Sequence, residues 1–169
     1  MAKRVLMLDL EETIISNLLG TPVDRVFVRP YAEEFLKRTK DIFDERYLNT
    51  CVPEEKANAI LRENFDRELI DDFRYWDFKR YSISNKAKGY GEFNGSRIVH
   101  VEDRVFPGDP LYKPGLSQEE IDFIGHSVFF IPVRMYEPKR WVWEEPIMPK
   151  YDRELLRALK LIERNIRYL

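Results

Sequence analysis

The residues with the clearest chemical potential are Asp9-Leu10-Glu11-Glu12-Thr13, which follow the apolar run Val5-Leu6-Met7-Leu8 without a break. A carboxylate at the end of a buried strand, a second two residues on and a hydroxyl two further could carry out phosphoryl transfer. Asp9 would attack phosphorus and Glu11 would shuttle the leaving group's proton, because a covalent intermediate divides one hard displacement into two easier ones. The same acidic residues could instead serve only to cap a helix after a strand, and the pentapeptide alone leaves both readings open. A second candidate is the stretch 74–93, which interleaves Arg74, Lys79, Arg80, Lys86 and Lys88 with Tyr75, Trp76, Phe78, Tyr81, Tyr90 and Phe93. It could stack bases and track phosphates, or grip a phosphopeptide. Alternatively it is two or three edge strands with core aromatics and solvated charges. Tyr136, Trp141 and Trp143, around Pro138 and Pro146, form either a recognition surface or the packing of an irregular crossover.

Positioning such residues requires a scaffold, and the apolar pattern supplies one. Val5 to Leu8 is apolar at every position, as in a parallel strand buried on both faces. Asn17 to Val28 contains the turn Gly20-Thr21-Pro22, which suggests a small hairpin or flap at about 17–28. Pro30 suits the first turn of a helix over about 30–40, with Glu33 and Glu34 at its positive end and Phe35, Leu36 and Ile42 packing inward. Tyr47-Leu48 with Asn49-Thr50 reads as a second strand with a polar tip, and Pro53-Glu54-Glu55 opens another helix. A third strand, Arg97 to Val101, ends in Glu102-Asp103, and a fourth runs from Ser127 to Val133. The segment from Asp152 places Leu155, Leu156, Leu159, Ile162 and Ile166 on one face, a docking helix over about 152–168. Strands alternating with helices give a mainly parallel sheet, whose ligands sit at the carboxyl ends of the strands.

The bulk numbers bound the function. With 169 residues the chain fits a single domain spanning 1–169, and 44% apolar with 34% charged residues suits a globular protein. The formal net charge of −2 sets up no global attraction to nucleic acid or anionic lipid, yet residues 74–93 carry five basic and two acidic side chains, so any basic site is local. Cys51 is the single cysteine, which excludes an internal disulfide and suits a reducing, cytoplasmic setting. The longest apolar run, Val128 to Val133, contains a proline and is far short of a membrane span.

The stretch Val5 to Thr13 resembles the first motif of the haloacid dehalogenase superfamily, four apolar residues and then Asp-x-Asp-x-Thr, with Glu11 in place of the second Asp. The run Val26-Phe27-Val28-Arg29-Pro30-Tyr31-Ala32-Glu33-Glu34-Phe35-Leu36 is similar to the segment leading from flap to first helix in the small carboxy-terminal-domain and NLI-interacting-factor-like phosphatases. The resemblance implies an α/β Rossmann-like three-layer sandwich with a mainly parallel sheet, helices on both faces and no large cap. It also implies a magnesium-dependent phosphomonoester hydrolase working through an aspartyl-phosphate. Asp9 would be the nucleophile and Glu11 the acid and base, with Thr50 and Lys86 as the phosphoryl clamp. Thr13, Asn49 and Lys88 would assist in binding substrate, Asn49 competing with Thr50 and Lys88 with Lys86. Asp9, Glu11, Glu102 and Asp103 would hold the magnesium ion. His100, inside the third strand, is read as a hydrogen-bonded core residue rather than a ligand.

Glu11 is the departure with consequences. One extra methylene displaces a proton donor by about an ångström, which costs on the order of a hundredfold in rate. The alternative function is therefore a catalytically weak or inactive binding or regulatory module on the same fold. Only 36 residues separate Thr13 from Thr50 and 35 separate Thr50 from Lys86, too few for an inserted cap domain. An open site implies a macromolecular phosphorylated substrate, a phosphoprotein or a nucleic-acid phosphate end, with 74–93 as the candidate nucleic-acid contact and no membrane partner.

Overall fold

The computed structural model describes residues 2–16, 26–50, 52–77, 90–103, 119, 122, 126–134, 136 and 152–168. Its centre is a five-stranded, all-parallel sheet in the order β3-β2-β1-β4-β5, an α/β, Rossmann-like arrangement. The strands are β1 (Arg4–Leu8), β2 (Glu45–Thr50), β3 (Phe73–Asp77), β4 (Arg97–Glu102) and β5 (Val128–Pro132). The unbroken apolar run of β1 has its cause here: β1 is the middle strand, paired with β2 and β4 at once, and Val5 to Leu8 are fully buried.

The helices are α1 (Ala32–Ile42), α2 (Glu54–Asn64), the short α3 (Arg67–Ile70) and α4 (Glu154–Asn165), with a 3-10 turn at Tyr90–Phe93. All four α-helices contribute to one core on the face of the sheet that carries Leu6, Leu8, Leu48, Val99 and Val101. Leu155, Leu159 and Ile162 of α4 are buried in it as the spacing predicts, each contributing about 1.5–3 kcal/mol. Ile166 packs at its margin, Leu156 is half-buried, and Ala158 is buried in the core. The opposite face holds a smaller cluster of Val5, Met7, Trp76, Phe93 and Ile98, joined by Tyr47, Val128 and Phe130. Of residues 104–127, which connect β4 to β5, Glu119, Asp122, His126 and Ser127 are described and are helical.

One detail differs from the sequence reading, and one open alternative is decided. Pro30 precedes α1 rather than opening it, because Tyr31 has a left-handed φ of 65° that no helical turn admits, so α1 begins at Ala32. The stretch 74–93 opens as the edge-strand reading has it: residues 74–77 belong to β3, an edge strand paired with β2 from Arg46↔Phe73 to Thr50↔Asp77. Phe73 and Tyr75 pack toward the larger core while Trp76 is buried in the smaller one, so the alternation of polar and aromatic residues is that of an edge strand with two covered faces.

Candidate active site

Parallel pairing fixes which side chains meet at the carboxyl end of the sheet. Leu8 is in register with Leu48 and with Val101, so Asp9 emerges between the next residues of the flanking strands, Asn49 and Glu102. The Asp9 N–H donates to the Val101 carbonyl at 3.0 Å, which carries the β1–β4 ladder one residue past the strand. Alternation places Asn49, His100 and Glu102 on the same face as Met7, whereas Thr50 falls on the face of Leu48.

After Asp9 the chain makes a tight loop, in which the N–H groups of Ile14 and Ile15 both donate to the Leu10 carbonyl. Thr13 Oγ1 donates to Asp9 Oδ2 at 2.9 Å, so the hydroxyl two residues beyond Glu11 serves the carboxylate directly. Glu12 has a left-handed φ of 60°, a conformation that costs a non-glycine residue about 1 kcal/mol or more and persists only where its surroundings enforce it. The enforcing groups are Arg29 and Tyr136. The Tyr136 N–H donates to the Glu12 carbonyl at 2.6 Å, and Arg29 Nη1 donates to the carbonyls of Thr13 at 2.9 Å and Glu12 at 3.4 Å. Arg29 also donates to the Arg134 carbonyl at 2.6 Å and pairs with Asp152 at 2.9 Å, with its guanidinium 5.4 Å from the Tyr136 ring centre. This arginine is 1% exposed. Residues 27–29 also close on the loop: Ser16 N–H donates to Phe27 O, Arg29 N–H to Ile14 O, and Ile15 bridges antiparallel to Val28.

The electrostatics of the tip are those of crowded carboxylates. Asp9 keeps partial access to solvent, but protein atoms surround its carboxyl, and this desolvation pushes its pKa well above the usual carboxylate value. The nearby charges of Glu102 and then Asp103 push it further in the same direction, and the Thr13 hydroxyl and the Leu10 N–H partly offset them. A cation brought among these groups would reverse that balance. The donors are of the kind magnesium prefers, hard carboxylate oxygens. Among the described residues no three His, Cys, Asp or Glu side chains converge on one point, so a magnesium ion here would be held by one or two carboxylates and water.

Of the predicted site residues, the structure brings Asp9, Thr13, Asn49, Glu102 and Asp103 to one end of the sheet, with Glu11 partly exposed in the loop between them. Thr50 is buried, and its Oγ1 accepts the Val52 N–H at 3.2 Å, a turn-closing bond on the way into α2. Lys86 and Lys88, with Lys79, residues 17–25 of the expected flap, Trp141 and Trp143, lie outside the described residues. His100 is fully buried and hydrogen-bonded, as read from the sequence: its Nε2 lies 2.7 Å from the Asn49 amide and 2.9 Å from Glu102 Oε2. Arg29 carries no chemistry in the sequence reading, although it stands in the segment that resembles the phosphatases. Tyr136 belongs to the packing and not to a recognition surface, being buried against Arg29 with its hydroxyl pushed up to about 12 by burial.

A groove of about 220 Å³ runs between α2, α3 and β3, lined in part by Glu54, Asn58, Arg62, Asp71 and Arg74. None of the candidate site residues except Arg74's own stretch borders it, and Asp9 is not among its walls. No helix among the described residues is long and apolar enough to cross a membrane.

No family model matches the chain. Compared with curated proteins, it has no significant match either. The functional reading therefore stands on the site itself.

Proposed function

We propose that the chain is a magnesium-dependent phosphomonoester hydrolase acting through an aspartyl-phosphate, on a macromolecular substrate. The observation that carries this reading is Asp9 at the tip of the central strand, hydrogen-bonded to Thr13 and facing Glu102 and Asp103 from the neighbouring strand. Asp9 Oδ would form the bond to phosphorus as the ester oxygen leaves, with Glu11 donating the proton that oxygen needs. Glu11, then ionised, would take a proton from the water that attacks the aspartyl-phosphate, releasing inorganic phosphate and restoring the Asp9 carboxylate. Thr13 holds Asp9 in position through its hydroxyl. Asn49 and Thr50, with Lys86 or Lys88, would supply the donors for the phosphoryl oxygens. Magnesium, when bound by Asp9 with Glu102 or Asp103, would neutralise charge on the transferring phosphoryl group.

The raised pKa of Asp9 supports a role for added positive charge, since a nucleophilic carboxylate must be ionised to attack. The second reading, a weak or inactive binding module, is favoured by the glutamate at position 11 and by the lack of a ready-made cluster of three metal-binding side chains among the described residues. Hydrolysis of an aryl phosphate with and without magnesium separates the two. The phosphatase reading expects magnesium-dependent turnover that Asp9→Asn abolishes and Glu11→Asp raises by about tenfold to a hundredfold, since the shorter side chain restores the donor's reach. Absence of turnover on aryl phosphate, phosphopeptide and 5′- or 3′-phosphorylated oligonucleotide alike would leave the binding-module reading. A salt-sensitive preference for the oligonucleotide would direct attention to the basic residues of 74–93.

A further inference from the structure

A continuous run of hydrogen bonds joins the start of the C-terminal helix to Asp9. The N–H of Glu154, the first residue of α4, donates to Asp152 Oδ1 at 3.0 Å, and Arg29 Nε donates to Asp152 Oδ2 at 3.0 Å. Arg29 Nη1 donates to the Thr13 carbonyl at 2.9 Å, and the Thr13 hydroxyl donates to Asp9 Oδ2 at 2.9 Å. Every link has an ordinary hydrogen-bond length. A second line runs beside the first: Arg29 Nη2 donates to the Arg134 carbonyl at 2.6 Å, and the Arg134 N–H donates to Glu154 Oε2 at 3.2 Å. The first turn of α4 therefore holds both the guanidinium and the chain just past β5.

Asp152 is the residue on which this run depends. The Arg29 side chain is 0% exposed, and among the described residues Asp152 is its one anionic partner. A guanidinium cannot shed its proton to escape burial. Deprived of Asp152, it must turn toward another acceptor or toward water, and the Thr13 carbonyl then loses a donor fixed in place. The same carboxylate opens α4, because the residue at the helix cap, Arg153, supplies no side-chain bond and the Glu154 N–H is taken by Asp152 instead. One side chain thus seats the helix and anchors the arginine that shapes the loop carrying Asp9 and Thr13.

We propose that Asp152 is a positioning residue for the reaction at Asp9: acting through Arg29 and Thr13 it keeps the Asp9 carboxylate aimed for attack, so that the seating of α4 is coupled to activity. The proposal rests on the phosphoryl-transfer reading above. Asp152 itself touches no reacting atom; its effect reaches Asp9 through the Thr13 hydroxyl.

Turnover of aryl phosphate by the full chain in magnesium buffer tests it. Asp152→Ala should lower kcat by about tenfold to a hundredfold, the cost of a misplacement on the ångström scale, and leave KM within about twofold. Asp152→Asn keeps the shape but has a single carbonyl oxygen for two donors, and its kcat should fall between the two. Thr13→Val should lower kcat by itself, and adding Asp152→Ala to it should cost nothing further, because the run passes through Thr13. Ile162→Ala, which loosens α4 in the core without touching the run, should lower the melting temperature yet leave kcat unchanged in the folded range. A wild-type kcat in Asp152→Ala or in Thr13→Val, losses that multiply in the double variant, or an equal loss in Ile162→Ala overturns the proposal while the phosphatase reading survives. Should Asp152→Ala not fold, Asp152→Asn decides by the same criteria. A wild-type chain that turns over neither aryl phosphate, phosphopeptide nor phosphorylated oligonucleotide overturns both.

Discussion

Replacing Arg29 with methionine removes the structural tie that shapes the loop after Asp9, and the cost can be worked from its contacts. Methionine preserves most of the volume but none of the donors. The Thr13 and Arg134 carbonyls lose charged donors at 2.9 and 2.6 Å, Glu12 loses a longer one at 3.4 Å, and Asp152 loses the cation 2.9 Å away. Hydrogen bonds to a charged group are worth about 1.5–3 kcal/mol each. Relief of the arginine's own desolvation offsets part of the sum, and breaking a buried pair from one side costs about 3–5 kcal/mol. The expected loss is about 4 kcal/mol, a large share of the roughly 5–15 kcal/mol that holds a domain together. For a chain of this length the melting temperature should fall by about 8–16 °C. Arg29→Lys retains the charge but not the planar fork that reaches four acceptors, and should lie about midway. Calorimetry or near-ultraviolet circular dichroism reads the shift. An Arg29→Met protein melting within about 3 °C of the wild type would refute the view that this arginine holds the loop, and with it the account of why Glu12 tolerates a left-handed backbone.

Other consequences follow from single features of the structure. Asp9 has a raised pKa in the fold, so between the ordinary carboxylate value and that raised value the native state binds more protons than the unfolded one, and stability falls as pH rises through this window. Asp9→Asn should therefore raise the melting temperature at neutral pH and flatten its pH dependence while abolishing hydrolysis; a lowered melting temperature would contradict the burial and charge crowding assigned to Asp9. Tyr136 should resist ionisation until about pH 12, read as a phenolate absorbance step that Tyr136→Phe removes. Ile162→Ala, which opens a void under α4 in the larger core, should cost about 2–5 kcal/mol by urea unfolding, without changing any contact of the Asp9 loop.

Much of the site was legible because buried parallel strands announce themselves by unbroken apolar runs. Val5 to Leu8 places Asp9 at a strand tip from sequence alone, and Ile98 to Val101 does the same for Glu102 and Asp103. The edge strand β3 was one of two open readings, since Phe73 to Asp77 mixes aromatic and charged residues and reads equally as a basic surface, and only its pairing with β2 decides. Arg29 was hidden for a different reason. Composition counts an arginine as solvated, and its partners, the carbonyls of 12, 13 and 134 and the carboxylate of Asp152, lie in three separate parts of the chain.

The sequence by itself determined the α/β class, the carboxylate at the end of the first strand, the acidic pair after a later one and the apolar stripe of the final helix, all of them local patterns of residue type and period. Only the tertiary structure decided who stands beside Asp9. The strand order puts β1 between β2 and β4, and the parallel register aligns Leu8 with Leu48 and Val101, so Asn49, His100 and Glu102 become neighbours on one face. Register is a relation between distant segments, set by which faces can be buried together, and no window of sequence contains it.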